Sequence, residues 1–289
     1  MLCPRNCLAK RENGELGFCG AGDVVKIARC ALHFWEEPCI SGENGSGTVF
    51  FSHCNMKCVY CQNHEISGCG KGYPVSVWEL ASKFLSLQEQ GAENINLVTP
   101  THYVPQIIDA IRNAREQGLH LPIVYNCGGY ESAHTIKSLA GIIDVYLTDI
   151  KYYSERYATE YSSAPNYFAH ASAALDEMVR QVGSPSFDER GMMKRGVIVR
   201  HLMLPGLLFD TKKIVDYVFD TYGDTVWLSL MSQYTPMPQV RNIAKLNRKL
   251  DPKHYEAMVD YCAEKGITNA FIQEPDSATE TYIPEFEGE

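Results

Sequence analysis

The chain has no apolar run long enough to cross a bilayer, which excludes a membrane-spanning helix. Its first residues, Met1-Leu2-Cys3-Pro4-Arg5, lack the charged start and apolar stretch of a secretory signal. The expectation is a soluble, cytoplasmic protein without a membrane partner. Positive charge is scarce: 26 Lys and Arg stand against 35 Asp and Glu, a net charge of −9. That argues against nucleic acid as the partner, since phosphate binding favours a basic surface. Internal repeats and low-complexity tracts are also missing. What is present reads as globular: 289 residues, 45% hydrophobic and 21% charged, enough for one large α/β domain.

Cysteine is abundant. There are eleven, an odd number. In a cytosolic enzyme clustered cysteines more often bind metal than form disulfides. Cys54, Cys58 and Cys61 are spaced C-x3-C-x2-C, directly after the apolar segment Gly47–Ser52. Thiolates hold iron–sulfur clusters, and a [4Fe–4S] cube has four irons to hold. Three thiolates leave one iron open to a small molecule, much as a catalytic zinc keeps an open position. The alternatives are a zinc knuckle with a distant fourth ligand, or buried thiols. A second candidate metal site is Cys3, Cys7 and Cys19, with Cys30, His33 or Cys39 as a fourth ligand to zinc or an auxiliary cluster. Cys69 and Cys262 carry no motif and read as packed thiols.

Beyond a Cys/Gly-rich N-terminal extension, residues 1–46, strand-like and helix-like segments alternate through residues 47–289. Strand candidates are Gly47–Ser52, Ile95–Val98, Ile123–Asn126, Val145–Ile150, Gly196–Leu202, Val226–Met231 and Ala270–Gln273. They are short apolar runs with β-branched residues, as buried parallel strands require. Ser76-Val77-Trp78-Glu79 has the pattern of a capping box opening a helix to about Gln90. Further helices are expected from Pro105 to Gly118 and near Ser132–Ala140, Tyr167–Val182, Thr211–Tyr222 and Pro252–Lys265. About six β-α units predict an α/β partial barrel rather than a closed eight-fold one. The polar stretch Gly183–Arg195 is expected as a surface loop.

The cysteine loop resembles the signature of the radical SAM superfamily, in which S-adenosylmethionine chelates the open iron. Over nearly its whole length the chain resembles proteins related to pyruvate formate-lyase activating enzyme, and most of all an uncharacterised branch of them. The segments that carry this are Leu32–Pro38, Gly45–Phe51, Asn94–His102, Arg200–Gly206 and Leu230–Tyr234. The resemblance implies a partial (β/α)6 radical SAM barrel with an N-terminal Cys-rich extension. It implies a [4Fe–4S] cluster on Cys54, Cys58 and Cys61, with Tyr60 packing on the adenine. Asp149 and Lys151 match the family's Asp-x-Lys, and Lys151 would meet the S-adenosylmethionine carboxylate as a point charge. Arg200 matches an arginine that contacts the same molecule.

The chain also departs from the activating enzymes. Thr99-Pro100-Thr101-His102 stands where they carry a Gly-Gly-Glu motif for the amino group, leaving Thr99 and Thr101 as acceptors there. Asn126-Cys127 replaces an Asp-Thr pair, with Asn126 a poorer cation ligand and Cys127 a small buried residue. Gln233-Tyr234 replaces a His near the ribose. His201 should point away from Arg200 if the strand continues. His102 reads equally as a substrate-facing or a packing residue. Glu36 and Glu37, adjacent and hence on opposite faces of a strand, are expected to anchor the first segment rather than act as a pair.

The implied chemistry is reductive cleavage of S-adenosylmethionine to a 5′-deoxyadenosyl radical, with a flavodoxin or ferredoxin as electron donor. The substrate is a glycine of a glycyl-radical enzyme, another peptide or a small molecule. A non-enzymatic iron–sulfur or zinc protein is the remaining class.

Overall fold

Short apolar strands, each followed by an amphipathic helix, build a sheet whose centre is parallel. The computed structural model describes residues 2–273 and Phe286. The strands are β1 (Val25–His33), β2 (Ser46–Phe51), β3 (Tyr73–Val75), β4 (Ile95–Val98), β5 (Ile123–Cys127), β6 (Val145–Asp149), β7 (Ser186–Phe187), β8 (Met193–Leu202), β9 (Trp227–Met231) and β10 (Ala270–Ile272). Their order is β10-β9-β8-β6-β5-β4-β2-β1-β3, and it ends without closing. Every neighbouring pair from β2 to β10 along this path is parallel. β1 lies antiparallel to β2, and β3 antiparallel to β1, so part of the first 46 residues belongs to the main sheet.

The main helices are Val77–Glu89, Val104–Glu116, Tyr167–Val182, Leu208–Tyr222 and Pro252–Glu264. The box at the first is formed: Ser76 Oγ accepts from Glu79 N at 3.2 Å, and Glu79 Oε2 from Ser76 N at 2.7 Å. A helix at Glu155–Ser162 and the strands β1, β3 and β7 are additions to the sequence expectation. The stretch Gly183–Arg195 is not a plain loop. β7 pairs with β8 as a hairpin, Asp188 pairs with Lys194 at 3.1 Å, and Arg190 binds Glu93 at 2.6 Å.

Alternation along the strands separates two faces. Ile95, Leu97, Ile123, Tyr125, Tyr146, Val197 and Val199 join the core beneath the helices. Val124, Val145, Leu147 and Ile198 face the other way and meet Cys39 and Ile40. Those two sit on a helical turn, Pro38–Ser41, that plugs this face. Burying Ile40 completely contributes about 2–3 kcal/mol. On the same face, two residues further along each strand, the pattern turns polar: Asn126, Asp149 and Arg200 follow Val124, Leu147 and Ile198. The plug therefore delivers Glu36 and Glu37, just before it, to the edge of a polar row.

Candidate active site

The C-terminal ends of the parallel strands surround a cavity of about 210 Å3. β2 leads through His53 into the cysteine loop, β4 ends at Val98 just before Thr99, β5 at Asn126 and Cys127, β6 at Asp149, and β8 carries Arg200 two residues before its end at Leu202. All of these ends, with Lys151 and Gln233, line the cavity. Two residues just beyond strand ends have positive φ without being glycine: His53 (74°), leading into the cysteine loop, and Thr99 (59°), which lines the cavity. Thr99 is β-branched and precedes proline, both of which disfavour this region. Its N–H donates to Asn126 O at 2.8 Å, which helps hold it there. Such strain persists only where the surroundings over-determine it.

Cys54, Cys58 and Cys61 all line this cavity. Each sulfur has a hydrogen-bonding neighbour: Met56 N donates to Cys54 Sγ at 3.4 Å, Ser162 Oγ to Cys58 Sγ at 3.0 Å, and Ser67 Oγ lies 3.2 Å from Cys61 Sγ. Donors of this kind suit thiolates bound to metal. Ser162 also meets Tyr152 OH at 2.6 Å, which meets Tyr60 OH at 2.7 Å. With Ser162 donating to sulfur, the protons run Tyr60 to Tyr152 to Ser162 to Cys58. Tyr60 thus lines the cavity and is pinned to the loop's second cysteine. Burial pushes the Cys54 and Cys58 thiols up, so bound metal must supply the charge that deprotonates them.

Among the described residues no group of three His, Cys, Asp or Glu is placed to hold a single metal ion. A cubane asks for something else, one thiolate on each of three irons, and three thiols distributed around one cavity fit that demand. Cys3, Cys7 and Cys19 of the first segment differ in their surroundings. Cys7 is exposed, and Cys19 is buried with its sulfur taking the Ala21 N–H at 3.4 Å. Cys69 is exposed rather than packed, because it leaves a one-turn helix between Gly68 and Gly70. Cys262 is buried.

Opposite the cysteines lies a row of buried charges. Asp149 and Arg200 are register partners on β6 and β8, which brings Arg200 Nε to Asp149 Oδ1 at 3.1 Å. Lys151 Nζ donates to the other oxygen at 2.5 Å. Burial alone would lower Lys151, but the Asp149 charge outweighs it and the ammonium is held above its ordinary range. Asp149 is held below its range by Lys151 and Arg200 against the opposing pull of burial. Arg200 Nη1 also donates to Glu36 Oε2 at 2.9 Å and lies 4.0 Å from Glu37 Oε2. The two glutamates therefore act on one partner, contrary to the expectation of opposite faces. They stand in the loop between β1 and the Pro38 turn, where strand alternation does not apply.

Thr101 does not reach the cavity. It enters a short 3-10 turn and its hydroxyl donates to the buried Glu131 at 2.5 Å. His102 is buried with Nε2 on Ser52 O at 2.7 Å, a packing role. His201 points away from Arg200, to Ile150 O and Thr211. Burial pushes the Glu131 carboxyl up to about 8, although Thr101 and Tyr125 hydrogen bonds oppose it. A raised carboxyl contributes stability that is complete at low pH and is lost as pH rises towards that value. Glu131→Gln, which cannot ionise, should therefore escape a loss on the order of 4 kcal/mol between about pH 4.5 and 8. Urea unfolding at pH 5 and pH 9 measures this; equal pH slopes for both proteins would contradict it.

The family model described as the Radical SAM superfamily matches residues 48–218. An uncharacterized protein of Methanocaldococcus jannaschii is 29% identical over 274 residues, spanning 91% of this chain and 74% of that protein. Among solved structures, SuiB of Streptococcus suis has a similar fold. Its S-adenosylmethionine-bound form matches with a TM-score of 0.50 at 11% identity over 76% of this chain and 48% of that one. A second SuiB structure gives 0.50 at 12% identity over 79% and 48%. The chain thus spans about half the length of these solved structures. No helix among the described residues is long and apolar enough to cross a membrane.

Proposed function

The chain belongs to the radical SAM superfamily, and on that premise we propose that Cys54, Cys58 and Cys61 hold a [4Fe–4S] cluster beside S-adenosylmethionine. The observation that carries this reading is three hydrogen-bonded thiols facing a buried Asp149–Lys151–Arg200 row across one cavity. When bound, the cluster and S-adenosylmethionine supply reductive cleavage of a sulfonium carbon–sulfur bond, giving a 5′-deoxyadenosyl radical that abstracts hydrogen from a substrate.

The chain's own residues bind and orient. Lys151 has three N–H donors and spends one on Asp149, which leaves two for a carboxylate. Thr99 and Asn126 present oxygens at strand ends where an amino group can donate. Tyr60 offers its ring while its hydroxyl is anchored away from the cavity. A low-potential donor, flavodoxin or ferredoxin, is the partner we assign. The resemblance names a glycine of a glycyl-radical enzyme as one substrate; a second cavity beside Arg200, lined by Glu36 and Glu37, favours another peptide or a small molecule instead.

The test is anaerobic reconstitution with iron and sulfide, reduction with dithionite in the presence of S-adenosylmethionine, and assay of 5′-deoxyadenosine and methionine. Equimolar formation of the two is the expected result. Fully loaded protein that forms neither would overturn the reading. Electron paramagnetic resonance of a glycyl-radical enzyme incubated with the activated protein decides between the substrates.

A further inference from the structure

Beyond Arg200 lies a second cavity, of about 300 Å3, at the low end of the range of ligand clefts. Glu36, Glu37, Ser229, Trp35 and Phe271 line it. It shares Arg200, Met231 and Gln233 with the first cavity, so those three side chains are the wall between them.

The polar groups of this wall are not equally satisfied. Glu36 Oε1 takes the amides of Asn96 and Asn126 at 3.2 and 3.3 Å, and its Oε2 takes Arg200. Asp149 has Lys151 on one oxygen and Arg200 on the other. Glu37 is 7% exposed, and Ser229 supplies a hydrogen bond to its carboxyl. Its Oε2 is buried with no hydrogen-bond partner among the described residues; Arg200 at 4.0 Å is too far to donate. An acceptor left so is costly unless something completes it. The formal charges point the same way. Three carboxyl groups, Glu36, Glu37 and Asp149, surround two cationic side chains, Arg200 and Lys151. The carboxyl groups outnumber the cations by one, and Glu37 is the one with an oxygen that has no donor.

We propose that this cavity seats a protonated amine or guanidine on Glu37, with its aliphatic stem between Trp35 and Phe271. A cationic N–H donor satisfies Oε2 and favours the ionised form of Glu37 that burial opposes. An anion would meet the Glu36 and Glu37 carboxyls, with Arg200 already engaged by Glu36 and Asp149. Trp35, 58% exposed, and Phe271 supply the aromatic part of the lining. The same chemistry belongs to a free amine and to a lysine or arginine side chain of a peptide. That the occupant is the substrate rests on the radical SAM reading; that a cation binds does not.

The test is calorimetric titration of the iron-loaded protein, under anaerobic conditions, with n-butylamine, n-butylguanidine and sodium butyrate. Saturable binding of either cation is expected, with no binding of butyrate. Glu37→Gln should weaken the cation at least tenfold, and Trp35→Ala several-fold. Trp35 lies at the surface, so its variant decides the matter if Glu37→Gln fails to fold. An acetylated, amidated Gly-Lys-Gly peptide that binds more tightly than butylamine identifies a peptide source, and one that does not bind identifies a small molecule. Binding of neither cation, a loss below twofold in Glu37→Gln or, where that variant does not fold, in Trp35→Ala, or equal binding of butyrate overturns the proposal. None of these titrations requires S-adenosylmethionine cleavage. A negative result here leaves the radical chemistry standing, and a failed cleavage assay leaves the binding result intact.

Discussion

Cys58→Ala should reduce iron and acid-labile sulfide from about four per chain to near zero and abolish 5′-deoxyadenosine formation. Two thiolates cannot hold a cube whose fourth iron is already open to S-adenosylmethionine. Cys58 is also the sulfur at the end of the Tyr60–Tyr152–Ser162 chain, so its loss removes the acceptor that orders those three hydroxyls. Cys127→Ala is the control that separates ligation from mere proximity. Cys127 lines the same cavity, but its sulfur is engaged with Thr148 Oγ1 at 3.4 Å. Its variant should keep its iron. Metal analysis and electron paramagnetic resonance of the reduced proteins report the outcome. A Cys58→Ala protein with a full complement of iron would refute the ligand assignment, as would equal losses in both variants.

The cysteine loop was legible because its information is local: three residue types at fixed spacing after an apolar strand. Asp149, Lys151 and Arg200 were legible for a related reason. A short apolar strand that ends in a charge reads as a strand end, and strand ends of a parallel sheet meet at one rim. Pairing of Asp149 with Arg200 then follows from register. What was not legible depends on long-range placement or on a break in local regularity. Glu36 meets Arg200 across 164 positions of chain. Period-two reasoning put it and Glu37 on opposite faces, but Glu37 adopts the extended cap of a helical turn, outside any strand. Thr101 was expected at the rim. The positive φ of Thr99 turns the backbone over, and Thr101 goes to Glu131 on the far side of the sheet. β1 packs Val25 and Ile27 into the main core and Ala28 against Phe50 and Ile66, and its Cys, Arg and His residues hid its strand character.

Arg200→Met should destabilise the protein by about 3–5 kcal/mol at pH 7, the range for breaking a buried ion pair from one side. The guanidinium is the common partner of Asp149 at 3.1 Å, Glu36 at 2.9 Å and Glu37 at 4.0 Å, and its side chain is 19% exposed. Methionine matches its length but donates nothing, so Lys151 alone would face three buried carboxylates. Arg200→Lys should recover part of the loss, since one ammonium cannot span Asp149 and Glu36 as a planar fork does. The pH dependence identifies the cause. Arg200 and Lys151 hold Asp149 below the ordinary carboxylate range, so its share of stability is present above that range and lost as pH falls through the depressed value. In Arg200→Met that share is missing at neutral pH, and the freed carboxylates recover by taking up protons in acid. The gap between wild type and variant should therefore narrow from pH 7 to pH 4. Glu37→Gln added to Arg200→Met should restore part of the stability at pH 7, because it removes one uncompensated charge. Burial already raises Glu37 against the pull of Arg200, so it is the first of the three to protonate when the arginine is gone. Denaturant titrations of the four proteins at both pH values measure these differences. A gap of under 1 kcal/mol at pH 7, or one that stays constant into acid, would mean that solvent rather than Arg200 balances the charge of this row.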